Sequence, residues 1–156
     1  MSNTSGPMSL RLPLLRAHIW LVATFIPLLD KVLSLKRVLR VLTPPTSVVP
    51  YRGIAWQDIV ERVAQRLKNP RNMRRRPCLR QSLTLFHFLR LAGYPAVLRI
   101  GVYPQNPEAP RTQAHGWVTL NDIALTSPPD GPAAVVLVHG AAAQENSVKE
   151  DLAQAP

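Results

Sequence analysis

The 156-residue chain is 46% apolar with a mean hydropathy of −0.01, enough for one sizeable hydrophobic core and a small appendage. Its one cysteine, Cys78, excludes an internal disulfide and any multi-cysteine zinc or iron–sulfur site, and suits a reducing compartment. The net charge of +10 is unevenly spread: residues 1–111 hold 18 of the 19 Lys/Arg and 4 of the 9 acids. That basic part attracts an anionic partner, whether nucleic acid, a lipid surface or an acidic peptide, and charge alone does not choose among them.

Residues 1–7 are polar and expected to be disordered. Residues 10–42 read as helical, interrupted at Pro13 and Pro27. The stretch HIWLVATFIPLL (18–29) is apolar for twelve residues, short of the ~20 that span a bilayer. Arg16, Asp30 and Lys31 flank it and no secretory cleavage site follows, so a buried or interfacial helix in a cytoplasmic protein is expected. A membrane-surface contact through this N-terminal helix is the sharper alternative. In DKVLSLKRVLRVL (30–42), Val32, Leu33, Leu35, Val38, Leu39 and Leu42 mark one face, and Lys31, Lys36, Arg37 and Arg40 the other.

TPPTSVVP (43–50) reads as a stiff, extended linker. A helix is predicted over 55–67, with Trp56, Ile59, Val60, Val63 and Leu67 at helical spacing and a stop at Asn69-Pro70. The segment RRRPCLRQSLTLFHFLRLAG (74–93) follows. Pro77 suits a first helical turn and Gly93 a C-cap, so Cys78 falls at a helix N-terminus. Strands are predicted over 96–103, 114–120, 123–127 and 133–139, with a hairpin turn at Asn121-Asp122. Residues 141–156 read as a loose tail. Helices followed by an antiparallel meander make the class α+β.

A helix N-terminus with arginines beside it favours the thiolate, the nucleophilic form of cysteine. Such a nucleophile needs an imidazole to take its proton and a group to orient that imidazole. His18 lies in an apolar segment and reads as packed. His87 is about 13 Å of helical rise from Cys78, too far to serve it. His139 ends the last apolar strand. His115 opens a strand among small residues and shares a face with Trp117, which makes it the best partner; spacing alone leaves it equally readable as a strand-end residue.

CLRQSL (78–83), AVLRIGV (96–102) and AHGWV (114–118), in that order and spacing, resemble the transglutaminase-like cysteine peptidases of bacterial lasso-peptide maturation. These B-type proteins remove the leader from a ribosomally made precursor. The matched core covers roughly residues 74–127. The resemblance implies a transglutaminase-like, papain-like core at 71–140, behind a helical segment at 8–70, with the Cys-bearing helix packed on a small antiparallel sheet. It implies Cys78 as nucleophile and His115 as general base and acid. The family's third residue, usually an acid, falls here at Thr126 or Ser127, a departure that leaves Asp122 or, better placed, Asp130 as substitutes. Gly116 also replaces the usual alanine. The implied oxyanion donor is the backbone N–H of Cys78, with Gln81 a weaker candidate; Ser82 reads as packed. The implied partners are the precursor, a small leader-recognition protein and an ATP-dependent lasso cyclase, with no cofactor or metal.

The arginines 71, 74, 75, 76 and 80 form a basic approach to this helix. Arg75, Arg76 and Arg80, with Trp117, are the expected substrate contacts. Two alternatives stand beside the peptidase. A catalytically impaired member of the fold would bind a peptide or partner without cutting it, as the missing carboxylate suggests. A basic nucleic-acid-binding protein is the third, but no helix-turn-helix, zinc or RNA-binding signature accompanies the charge, so no nucleic acid is expected.

Overall fold

The computed structural model describes residues 8–68, 77–103, 114–129, 131 and 133–140. Among them the chain forms four helices and one four-stranded antiparallel sheet, the expected α+β class. It divides into two compact units, one ending at Gly93 and the other beginning at Tyr94. The expected disordered start and loose tail lie outside the described residues.

The first unit is helical: α1 (Met8–Val32), α2 (Leu35–Leu42), α3 (Trp56–Leu67) and α4 (Pro77–Leu91). Contrary to the sequence expectation, α1 runs through both Pro13 and Pro27, and the chain breaks later, at Ser34. Proline removes one i→i−4 hydrogen bond and leaves the carbonyl four residues back without its partner. For Pro27 that carbonyl belongs to Ala23, and the guanidinium of Arg80 takes it, donating from Nε at 3.1 Å and also from Nη2. The unbroken helix extends the twelve-residue apolar run: within Leu10–Val32 the most apolar 18 residues have a mean hydropathy of 1.7, and by length and composition the helix is able to cross a bilayer.

On α2 the expected faces hold, with Val38, Leu39 and Leu42 buried and Lys36, Arg37 and Arg40 exposed. Val32 is exposed instead, because the break at Ser34 takes it off the α2 face. Residues 43–50 contain a turn at 46–47 and lead into further turns from residue 50, so they are not one extended spacer. Val48 donates to Pro45, Arg52 to Val49 and Ile54 to Tyr51, and Tyr51 N–H reaches the Leu91 carbonyl at the end of α4. Ile59, Val63 and Leu67 of α3 are buried as predicted; the Asn69-Pro70 stop lies outside the described residues.

Helix α4 packs against α1, α2 and α3 and is buried at nearly every position from Ser82 to Leu91. It ends where expected, at Gly93 with φ +89°, a left-handed value that glycine adopts without a Cβ clash. Around it lies an aromatic cluster: His18 Nδ1 shares a 2.9 Å hydrogen bond with Tyr51 OH, and Phe88 meets the His18 ring edge-on. His87 Nδ1–H donates to the Leu42 carbonyl at 2.8 Å.

The second unit is the sheet, β1 (Ala96–Val102), β2 (Ala114–Leu120), β3 (Ile123–Ala124) and β4 (Ala134–His139), in the order β3-β2-β1-β4. This corrects the predicted meander: β4 crosses to pair with β1. With β2 already flanked, a six-residue strand needs a long free edge, and the two-residue β3 has none to offer. The β2–β3 turn is as predicted, with Asn121 and Asp122 at φ 50° and 63°, the left-handed pair of a tight hairpin. Ala96, Leu98, Ile100, Val118 and Leu120 share one buried face, and Arg99, Gly101, His115, Trp117 and Thr119 the other.

Candidate active site

Cys78 is the second residue of α4, a free and half-buried thiol in its first turn, where backbone N–H groups have no intrahelical acceptor. The residues after it, Leu79, Arg80 and Leu83, line a cleft with Ile26, Pro27, Asp30 and Lys31 of α1. Arg80, expected to hold substrate, instead fastens α4 to the Ala23 carbonyl. Its burial and the neighbouring Arg66 charge both lower its pKa. Arg75 and Arg76 lie outside the described residues, as does Asp130. Ser82 is fully buried, as its reading as a packed residue expects.

In the sheet, His115 and Trp117 project from the same face of β2, as predicted, with ring centroids 6.3 Å apart and planes inclined by 28°. Trp117, another expected substrate contact, is only 7% exposed. Its indole lies over Gly101, where a Cβ would come within 3.2 Å of the ring. Gly101 is also the β1 residue paired with His115, so the missing side chain makes room for the ring stacked beside the imidazole.

The imidazole is oriented by backbone. His115 Nε2–H donates to the main-chain carbonyl of Ser127 at 2.7 Å. A carbonyl only accepts, so Nε2 carries the proton and Nδ1 keeps its lone pair in the neutral ring. The local sequence brings this about. The ladder between β2 and β3 ends at Ala124, and Leu125 N–H still reaches the Val118 carbonyl at 2.8 Å. Then the chain bends, and the Thr126 hydroxyl, not a main-chain carbonyl, accepts from Val118 N–H at 3.0 Å. Ser127 precedes Pro128, which holds it extended, and its carbonyl turns toward His115.

Thr126 thus secures the bend, and Ser127 supplies a main-chain atom in place of a side chain. No sequence pattern reads a carbonyl's direction, so this partner was invisible beforehand; the bend's cause, a hydroxyl before Pro128-Pro129, was the available signal. Asp122, the other acid considered, sits in the hairpin turn and pairs with Arg99 at 3.3 Å.

A profile of the transglutaminase-like superfamily matches residues 20–139. Neither the comparison with curated proteins nor that with solved structures finds a match. That superfamily includes cysteine peptidases. With 120 of 156 residues covered, the chain belongs to the transglutaminase-like superfamily.

Proposed function

We propose that this chain is a cysteine peptidase that removes the leader from a lasso-peptide precursor. It would act with a small leader-recognition protein and pass the core peptide to an ATP-dependent cyclase. The observation that carries the catalytic part is the His115–Ser127 hydrogen bond, which leaves Nδ1 as a ready base. The lasso-peptide assignment rests on the ordered motifs CLRQSL, AVLRIGV and AHGWV.

In this reaction His115 Nδ1 takes the Cys78 thiol proton as Sγ attacks the scissile carbonyl. The backbone N–H of Cys78 stabilises the oxyanion. The imidazolium then protonates the departing amine, leaving a thioester on Cys78. Water, deprotonated by Nδ1, attacks the thioester; the acid product leaves and the proton returns to sulfur. A carbonyl carries only partial negative charge, so Ser127 steadies the imidazolium less than a carboxylate would. That feature favours the second reading, a catalytically weakened member of the superfamily that binds a peptide.

Precursor peptide incubated with the recognition protein and wild-type, Cys78→Ala or His115→Ala enzyme, followed by mass spectrometry, tests the proposal. Cleavage by the wild type alone supports it. Tight binding of an intact precursor by the wild type favours the binding protein, and cleavage by Cys78→Ala refutes the cysteine mechanism.

A further inference from the structure

We propose that the outer face of α1 docks onto an anionic lipid surface, lying in the plane of the bilayer. Leu10, Leu14, Leu21, Phe25, Leu28 and Val32 are between 48% and 74% exposed. At 100° per residue they fall within about 60° of arc, a stripe about 33 Å long. The opposite side, centred about 150° away, carries Leu15, Ile19, Ala23 and Ile26, all at most 2% exposed. The exposed stripe is therefore a second apolar face, separate from the one that builds the core.

Charge selects the occupant. Residues 8–42 hold six Lys/Arg and one acid, Asp30, and on the helical wheel Asp30 falls on the side away from the stripe. On the wheel Arg11, which also donates to the Arg52 carbonyl, lies about 40° beyond one margin of the stripe, and Lys31 and Trp20 about 60° and 80° beyond the other, so their long side chains flank the stripe with tips that suit headgroups. Trp20 is 54% exposed, with the Arg66 guanidinium 5.4 Å from its ring centre. Exposed Lys36, Arg37 and Arg40 on α2 add to the same sign. A second copy docking through this stripe would bring two equally cationic segments together, whereas anionic headgroups neutralise them. Spanning is disfavoured as well. Pulling α1 into a bilayer would strip its buried side from α3 and α4 and release the Ala23 carbonyl from Arg80.

The test is sedimentation of the full-length protein with phosphatidylcholine vesicles, with and without phosphatidylglycerol. Binding to the anionic vesicles, weakened by salt and released by alkaline carbonate, is expected. Leu14→Ser/Phe25→Ser should weaken it about tenfold or more, and Lys36→Gln/Arg37→Gln/Arg40→Gln should erase the preference for anionic lipid. Thermal melts of these surface variants report that they fold. Absence of binding to anionic vesicles overturns the proposal, as does undiminished binding by the stripe variant. A carbonate-resistant fraction would mean a span. A dimer split by Leu14→Ser/Phe25→Ser without vesicle binding would mean a second copy.

Discussion

His115 Nε2 lies 2.7 Å from the main-chain carbonyl of Ser127, so a main-chain oxygen, not a side chain, orients this imidazole. The contribution of Ser127 is then independent of its hydroxyl. Ser127→Ala should change the rate of precursor cleavage by less than about twofold, and stability by less than ~0.5 kcal/mol. Thr126→Val should do more. It leaves the buried Val118 N–H without its acceptor, costing about 1–3 kcal/mol, and loosens the bend that aims the carbonyl. A lower kcat with little change in KM is expected, restored by Thr126→Ser.

Arg80 and Pro27 are linked through one carbonyl. Arg80→Ala should cost about 1–3 kcal/mol, measured by denaturant midpoint, because the Ala23 oxygen loses its donor. Pro27→Ala returns an N–H to the helix at the position that ordinarily serves that oxygen. The loss from Arg80→Ala should therefore shrink by roughly 1 kcal/mol in the Pro27→Ala background. Equal losses in the two backgrounds would show that the guanidinium does not substitute for the missing helical donor.

His18 and His87 make stability depend on pH. Burial lowers the pKa of both from 6.5; for His87 the Leu42 hydrogen bond opposes the shift and the His18 charge adds to it. Both therefore take up a proton less readily in the fold than in the unfolded chain, which binds protons near pH 6.5. Their stabilisation is fully present above that pH and is lost as pH falls from it toward the lowered folded values. Denaturation midpoints should drop over that window. His18→Gln/His87→Gln should flatten the drop, since glutamine donates a hydrogen bond without titrating.

Gly101 is expected to tolerate no side chain. A Cβ there would stand 3.2 Å from both the Ala133 Cβ and the Trp117 ring. Gly101→Ala should cost about 1–3 kcal/mol through overpacking. It should also alter the near-ultraviolet circular dichroism of Trp117, whose ring stacks on His115.

How much of this was legible beforehand varied with how local the cause was. Helix α4 was readable because Pro77 and Gly93 mark its ends by their own backbone limits, and the hairpin because Asn121 and Asp122 accept left-handed φ values. The continuity of helix α1 through Pro27 is not legible locally, since the rescue of the Ala23 carbonyl comes from Arg80, 57 residues away in sequence. The position of β4 depended on which strand kept a free edge, a property of the assembled sheet. In the candidate site, the placement of Cys78 in a helix's first turn and of His115 on one strand face with Trp117 was readable. The His115 orienter was not, because it is a carbonyl whose direction is set by the Thr126 bend.

The proposed mechanism turns on which ring nitrogen of His115 holds the proton, and nitrogen-15 NMR of the histidine side chains reads this directly. His115→Gln identifies the signals to follow. In the neutral ring the account predicts a protonated Nε2 and a bare Nδ1, in wild type and in Ser127→Ala alike. A proton on Nδ1, with Nε2 bare, would contradict it, because the nitrogen assigned as base would then have no lone pair to offer.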